Sequence, residues 1–219
     1  GLGDVYKRQP AKDASSSFWD CGNVNYFGKH IMTTQNDETA LGQGSSVKME
    51  TQETMKIIAA GNIFTGTFER DGMGGLLTLG RNFECRPNKL KGYYKYTSAK
   101  VSVSKGHLNE GEDDLCSLYI ALTDEQITVN TNKGIYFDPN SSAVIAYGSI
   151  SDEESKGADS FKEFTVDLEY KDLKRIPKYI IVVASSSKYG DYMEGGKGST
   201  MWLDDLELVY PKSMEEVRK

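Results

Sequence analysis

Two acidic side chains near the end of the chain have a spacing that glycoside chemistry could use. Asp205 and Glu207 lie two residues apart in a segment that alternates like a β-strand. Such positions share one face and lie about 6.5–7 Å apart along the backbone. Retaining glycosidases separate their carboxyl groups by about 5–5.5 Å and inverting ones by about 6.5–9.5 Å. The pair permits an enzyme, but it equally fits a solvated strand face, and we assign no catalytic residue from it.

Tyrosines beside charged residues offer a second kind of chemistry, the binding of sugars. Aromatic rings can cover the apolar C–H face of a sugar while neighbouring polar groups bind its hydroxyls. Two segments, 91–95 and 188–192, combine these residue types, and Arg86 could add a forked donor for an acidic sugar. The alternative is that these tyrosines are ordinary strand and rim residues. The predicted ligand-binding residues are Arg86, Lys91, Tyr93, Lys95, Lys188, Tyr189, Asp191 and Tyr192.

Histidine and cysteine offer little chemistry by comparison. The chain has 2 His, too few for a three-histidine metal site, and we expect both, His30 and His107, to be solvated. Its 3 Cys residues are far apart and include no Cys-x-x-Cys pair, so we expect buried, inert thiols. A single disulfide is the alternative in an oxidising compartment. The cysteines are Cys21, Cys85 and Cys116.

The segments that contain these residues have the alternating sequence pattern of β-strands. In the segment 90–96, Leu90, Tyr94 and Tyr96 fall on one face and Lys91 and Lys95 on the other. Turns rich in Gly, Asp and Pro separate such runs, and no segment has sustained helical periodicity, which predicts a sandwich or barrel. We expect one shared core containing Tyr94, Tyr96, Val101, Val103, Leu118, Ile120, Phe164, Val166, Leu168, Ile181, Trp202 and Leu206.

Composition narrows the classes of function. The chain has 219 residues, of which 38% are hydrophobic and 26% charged, as in folded proteins. Its net charge of −6 disfavours nucleic acid and anionic membranes as partners, because both attract basic surfaces. No apolar run approaches the roughly 20 residues of a transmembrane helix. These features favour a soluble, strand-rich, tyrosine-rich and weakly acidic domain, and they do not identify a ligand.

Short motifs in a fixed order connect the chain to a known family. They are FWD at 18–20, GSSVKM at 44–49, AAGNIFTG at 59–66, RP at 86–87, GYYKY at 92–96, SSSKYGDY at 185–192 and GSTMWLDDLEL at 198–208. Together they resemble the family named "putative carbohydrate metabolism domain" (PCMD), found in surface and secreted proteins of Bacteroidetes. The resemblance implies an all-β jelly-roll sandwich of two antiparallel sheets. It also implies an extracytoplasmic lipoprotein or secreted protein with a link to glycans.

The opening motif and the closing Asp-Asp strand are also similar to jelly-roll carbohydrate-binding modules, and this resemblance suggests one cofactor, a structural calcium ion. In such modules an acid at the place of Asp204 can hold calcium, and Asp20 is the natural second acid here. Calcium takes about six to eight oxygen ligands. The alternative is that Asp204 caps backbone amides at a bulge.

From these observations we expect a single jelly-roll domain over residues 18–210. Residues 1–17 would be a disordered leader or a sequence-end artefact, and residues 211–219 a frayed tail, with further domains in a longer chain as an option. The leading hypothesis is a non-catalytic module that binds a poly- or oligosaccharide for glycan use or adhesion. The alternatives are a glycoside hydrolase-like enzyme and a structural spacer in a cell-surface assembly.

Overall fold

A computed structural model describes residues 17–25 and 29–211, without the side chains of residues 24, 25, 29 and 30. The predictions made for residues 1–16, for residues 212–219 and for the side chain of His30 therefore lie outside the described residues. The strands are β1 (Trp19–Asp20), β2 (Val24–Asn25), β3 (Lys29–His30), β4 (Thr33–Asn36), β5 (Ser46–Glu50), β6 (Gln52–Thr54), β7 (Ile57–Ala59), β8 (Asn62–Asp71), β9 (Gly74–Leu79), β10 (Arg81–Asn82), β11 (Lys89–Thr97), β12 (Ser117–Thr123), β13 (Ile127–Asn130), β14 (Val144–Ser149), β15 (Ala158–Asp167), β16 (Glu169–Tyr170), β17 (Tyr179–Ser185) and β18 (Thr200–Val209). Short 3₁₀ turns cover Thr131–Lys133, Glu154–Lys156 and Gly190–Tyr192.

Two antiparallel sheets form the body of the domain. The larger has the order β13-β9-β8-β17-β12-β14-β16, with β1 beside β8 and β10 beside β17. The smaller has the order β15-β11-β18-β5-β4, and two separate hairpins pair β2 with β3 and β6 with β7. Strands that follow one another in sequence are often not neighbours, as a jelly roll requires. The predicted jelly-roll β-sandwich is confirmed. In the described part, no helix is long and apolar enough to span a membrane.

The main core lies between the sheets and follows the strand alternation. Along β11, Leu90, Tyr94 and Tyr96 point inward and are nearly inaccessible to solvent. Tyr94 packs edge-on against Phe164, with ring centroids 6.0 Å apart, and its hydroxyl donates to the Glu154 carbonyl at 2.9 Å. Most of the predicted core is confirmed in this cluster, namely Tyr94, Tyr96, Leu118, Ile120, Phe164, Val166, Leu168 and Leu206.

Trp202 was predicted in the core and lies on the outside of the five-stranded sheet instead. The reason is a bulge in β18 opposite Gly92, where the pairing register with β11 shifts and Asp205 takes a left-handed backbone (φ 46°). One extra residue reverses the alternation, so Leu206 after the bulge and Leu203 before it both face inward. Trp202, next to Leu203, is therefore half-buried on the outer face.

A second apolar cluster covers the other face of the nine-stranded sheet. Ile181 lies here and not in the main core, because β17 is covered on both sides. Its continuously apolar sequence is typical of such a strand. Val101 and Val103 are buried, but in the connection between β11 and β12, where Val103 forms an isolated bridge with Gly195. The second cluster comprises Phe64, Leu77, Leu79, Ala121, Val129 and Ile181, with Phe68, Tyr119, Ile127, Phe137, Tyr147 and Val183 packed against it.

The three cysteines are free thiols. Cys21 and Cys116 are buried, as predicted, and burial raises their pKa values to about 11 and about 12. Cys85 is exposed, which contradicts the prediction for that residue. It lies in the segment between β10 and β11, outside both sheets, so no layer of side chains covers it.

Candidate functional site

The connection between β17 and β18, residues 186–199, carries four of the predicted binding residues, and we call it the site loop. It contains the turn Gly190–Tyr192, which ends at Met193 in a left-handed conformation (φ 58°). The Met193 amide donates to the Gly190 carbonyl at 2.9 Å, and the Glu194 amide donates to the Tyr189 carbonyl at 3.2 Å. These bonds give the loop a defined local shape.

A buried carboxylate joins the two ends of the site loop. Asp114 accepts hydrogen bonds from the Ser187 hydroxyl at 2.6 Å, the Ser199 hydroxyl at 2.8 Å and the Gly196 amide at 2.8 Å. Burial raises the pKa of Asp114, and these hydrogen bonds to the charged form oppose that rise. Gly196 is required because a Cβ there would lie 2.7 Å from the Lys100 carbonyl oxygen. The loop is thus fixed to the segment that precedes β12.

A second buried carboxylate brings a histidine to the site loop. Glu194 accepts from the backbone amides of Lys105 at 2.8 Å and His107 at 3.2 Å, and its Oε2 lies 3.0 Å from His107 Nδ1. Burial by itself would raise the pKa of Glu194, but the hydrogen bonds from the His107 ring and these amides hold it below its ordinary value. His107 is exposed, as predicted, but its ring is not isolated, because the Glu194 carboxylate holds it in place.

Four rings meet at this point, and we call them the ring cluster. The ring centroids are 4.0 Å apart for Tyr136 and Tyr192, 4.3 Å for Tyr192 and His107, and 4.4 Å for His107 and Tyr189. The three tyrosines are half-buried. Because Tyr192 contacts a ring on either side of it in this series, its edge and hydroxyl are the parts best placed to meet a ligand. The cluster forms a stiff aromatic wall beside Asp191.

The carboxylate of Asp191 is the one acid of the site loop that is open to solvent. It forms no hydrogen bond or ion pair with any of the described residues. Nearby protein atoms remove part of the hydration of the charged form, which raises the pKa of Asp191 above its ordinary value. Burial strongly raises the pKa of Tyr119, and the charge of Asp191 raises it further. Tyr119, on the outer face of β12, stacks on Phe137 at 5.0 Å.

On the side of Asp191 that is lined by the β6–β7 hairpin there is a cavity of about 160 Å³, which we call the apolar cavity. Gly190 and Asp191 form part of its wall, and Thr131 contributes a hydroxyl. Most of the remaining wall is apolar, but Gln52, Asn62 and Arg70 also belong to it. The apolar residues include Met55, Ile57, Phe68, Met73, Leu77 and Met193. The site thus combines an aromatic wall, an unpartnered carboxylate and an apolar recess.

Comparison with known protein families identifies the domain. Residues 4–209 match the family described as "Putative carbohydrate metabolism domain", PCMD. The chain belongs to this family. The match covers most of the chain and begins inside the segment 1–17, and the resemblance inferred from the sequence motifs is confirmed.

Solved structures similar to this PCMD domain share its fold. One is described as a "putative glycoside hydrolase" from Bacteroides thetaiotaomicron, with 24% identity over 89% of this chain and a TM-score of 0.69. The chain spans 63% of that structure's length. Another with the same description comes from Bacteroides vulgatus, with 23% identity, a TM-score of 0.69, and coverage of 90% of this chain and 89% of that one. No curated protein sequence gave a significant match.

The other predicted surface of the PCMD domain lies on the five-stranded sheet, and we call it the lysine face. It comprises Lys91, Tyr93 and Lys95 of β11, which point outward together with Trp202. Lys95 Nζ lies 2.5 Å from Glu38 Oε1 and 4.4 Å from the centroid of the Trp202 ring, and its side chain is only 16% exposed. The predicted binding residues therefore fall on two separate surfaces.

Arg86 and Lys188 contact other parts of the protein. The Arg86 guanidinium donates to the Arg175 carbonyl and lies 5.8 Å from the centroid of the Tyr170 ring, and its Nη1 is buried without a hydrogen-bond partner. Lys188 Nζ donates to Asp152 Oδ1 at 3.0 Å and lies 5.9 Å from the Tyr189 ring centroid. Arg86 thus packs against protein, whereas Lys188 borders the ring cluster.

The remaining acids have structural surroundings. Asp204 accepts from the Ala40 amide at 2.8 Å and the Asp205 amide at 3.0 Å, which is the amide-capping alternative at the bulge. Asp20 accepts from different amides in the other sheet, those of Cys21 and Phe68. Residues 17–25 and 29–211 contain no group of three or more His, Cys, Asp or Glu side chains that could hold a metal ion. Asp205 and Glu207 are exposed on the outer face of the five-stranded sheet.

Sequence reasoning missed Tyr136 and the role of His107. Both contact Tyr192 through the fold, from segments that are far from it in sequence. The only local signal was composition, namely an aromatic pair at 136–137 before a turn and a histidine between glycine- and acid-rich segments. That signal does not distinguish a binding wall from an ordinary loop.

Proposed function

We propose that this domain binds carbohydrate without hydrolysing it, at the site loop, as a module of a cell-surface or secreted protein. The observation that carries the proposal is Asp191, a solvent-open carboxylate with no described protein partner beside a wall of aromatic rings. Membership of a carbohydrate-metabolism family supports the ligand class.

The arrangement has the chemistry that sugar recognition needs. The Asp191 carboxylate can accept hydrogen bonds from two neighbouring hydroxyls, and bonds to an ionised acceptor are about twice as strong as neutral ones. The edges and hydroxyls of Tyr136 and Tyr192 would bound the sugar ring. Because Asp114 and Glu194 already fix the loop, binding would order few side chains. For such an open site we expect a Kd of about 10 μM to 1 mM, or about 4–7 kcal/mol.

The surroundings of the site-loop acids favour binding over two-carboxylate hydrolysis. Glu194, the other acid of the site loop, is buried and accepts hydrogen bonds from the Lys105 amide and the His107 ring, so it is not free to act with Asp191 on a substrate. One observation favours the enzyme alternative, because a carboxyl group with a raised pKa suits a general acid. The spacer alternative leaves the unpartnered carboxylate without a role.

The test is a glycan-array screen followed by calorimetric titration of the sugars that bind. Asp191→Asn keeps the shape of the side chain and removes its charge, and we expect it to weaken binding by about tenfold or more, which is at least about 1.4 kcal/mol. Glu207→Gln is the matched control, an exposed acid on the other sheet, and should bind like the wild type. Normal binding by Asp191→Asn combined with lost binding by Tyr93→Ala would move the site to the lysine face and overturn the proposal.

A further inference from the structure

The wall of the apolar cavity includes Met55, which belongs to a turn whose backbone does not suit its residues. Met55 and Lys56 join β6 to β7 with φ values of 51° and 64°. Two consecutive positive φ values are typical of a type I′ hairpin turn, which strongly prefers Asn and Gly. Long L side chains seldom adopt this region, because the Cβ atom crowds the following carbonyl. A favourable sequence for this turn would therefore contain neither residue.

The same unfavourable conformation recurs at a second methionine of the cavity wall. Met193, which ends the turn next to Asp191, has φ 58°. Among the described residues, the non-glycine positions with positive φ are Met55, Lys56, Met193 and Asp205, and both methionines line the cavity. Bulky side chains kept in strained backbone conformations are characteristic of binding sites. Met55 is also 73% exposed, so its side chain is accessible to a ligand that enters the cavity.

The size and lining of the cavity indicate what it would hold. Its volume of about 160 Å³ is close to that of an engineered apolar cavity of about 150 Å³ that takes up benzene. Methionine adapts its shape to an apolar guest and contacts aromatic rings favourably through sulfur. Asp191 lies in the wall, so a guest in the cavity would be adjacent to the carboxylate that binds hydroxyls.

We propose that the apolar cavity binds an aromatic or similarly bulky apolar substituent of the sugar whose hydroxyls Asp191 holds. This inference rests on the proposed carbohydrate-binding function and specifies the ligand class as substituted glycans. An unsubstituted sugar would leave the cavity unfilled and the methionines exposed.

The experiment compares pairs of glycosides that share one sugar and differ in the substituent. Methyl and 4-nitrophenyl glycosides of each sugar that binds are titrated calorimetrically. We expect the 4-nitrophenyl member to bind at least about tenfold more tightly, equivalent to about 1.4 kcal/mol. Free 4-nitrophenol should bind at least tenfold more weakly than its glycoside, because it lacks the hydroxyls for Asp191.

Two variants of the same turn separate binding from backbone strain. Met55→Gly relieves the left-handed strain and removes an apolar contact, so its Tm should rise by about 2 °C while the preference for the aromatic glycoside falls at least threefold. Lys56→Gly is the matched control, because Lys56 has the same strain but does not line the cavity. It should raise Tm similarly and keep the preference.

The outcomes distinguish this inference from the proposed function. Equal affinity for methyl and 4-nitrophenyl glycosides would overturn the inference and leave carbohydrate binding intact. An unchanged aromatic preference in Met55→Gly would also overturn it, as would free 4-nitrophenol binding as tightly as its glycoside. Failure of every glycoside and every arrayed glycan to bind would overturn both.

Discussion

The lysine face and the site loop contain the same residue types but differ in how their charges are satisfied. On the lysine face, Lys95 pairs with Glu38 and lies over Trp202, and Lys48 pairs with Glu50 at 3.0 Å and lies 5.7 Å from the same ring. The charged groups there cover the aromatic surface. At the site loop, the buried carboxylates of Glu194 and Asp114 accept hydrogen bonds from the segments that support the loop. Asp191 has no hydrogen-bond or ion-pair partner among the described residues.

This difference shows why tyrosine next to lysine or aspartate is a weak guide to a binding site. A surface whose charges pair with each other has little to offer a ligand, since those pairs would have to break first. A surface that is fixed by buried hydrogen bonds and has one unpaired charged group is already organised for a ligand. The predictions below test whether this distinction holds.

The largest effect should come from the support of the site loop. Asp114→Ala leaves two hydroxyls and an amide without their buried acceptor, so we expect a loss of about 3 kcal/mol in the free energy of unfolding. For a domain of this size that lowers Tm by about 6–12 °C. Thermal unfolding measures it. Glu207→Ala on the five-stranded sheet should change stability by about 0.5 kcal/mol or less. Equal small losses in both variants would contradict the distinction.

The next effect concerns the two tyrosines. Tyr192→Ala removes the central ring of the ring cluster and should weaken carbohydrate binding about tenfold, or about 1.4 kcal/mol. Tyr93→Ala, on the lysine face, should leave the affinity unchanged. Calorimetry with the same sugar compares them, and circular dichroism checks that both fold. The opposite pattern would assign binding to the lysine face.

A smaller effect concerns the pH dependence of stability. The pKa of Asp191 is raised above its ordinary value of 3.8 in the folded state, so ionisation of this carboxyl disfavours folding. Its contribution to stability is greatest below the ordinary pKa and is lost as pH rises through the folded-state value. Asp191→Asn should therefore raise Tm at pH 7 but not at pH 3. A gain of equal size at both values would show that charge is not the cause.

The smallest expected effect is on hydrolysis. We expect no release of reducing sugar from common polysaccharides, because neither surface presents a convincing pair of acids within the described residues. A reducing-sugar assay over a panel of polysaccharides measures this. Release that vanished in Asp205→Asn or Glu207→Gln would identify an enzyme on the five-stranded sheet. Release that vanished in Asp191→Asn would identify one at the site loop.

Much of the fold could be predicted because strand alternation reports directly on burial. Leu90, Tyr94 and Tyr96 follow it along β11 without interruption. The prediction failed for Trp202 because one bulge residue, Asp205, reverses the alternation, and a left-handed aspartate cannot be recognised from sequence alone. It failed for Ile181 because an apolar strand covered on both faces has no preferred side.

The candidate site could be predicted only in part. The segment of Tyr189, Asp191 and Tyr192 stands out locally by composition. What makes it a site is the set of partners that arrive from elsewhere in the chain, His107 and Tyr136, and the buried acids that fix them. Such long-range contacts leave no periodic signal in the sequence. The lysine face had the same local signal, so only the structure separates the two.

Because the three cysteine thiols differ in exposure, the folded chain should react with a thiol reagent at one cysteine only. With pKa values of about 11 and 12, Cys21 and Cys116 carry a thiolate in only about one molecule in 10⁴ or fewer at pH 7, and both are buried. Exposed Cys85 should therefore react alone with a maleimide while the domain is folded. Cys21 follows β1 and Cys116 precedes β12. The times at which these two thiols become modified would therefore report the opening of each region separately. Mass spectrometry of the labelled peptides would then report the order in which the sandwich comes apart.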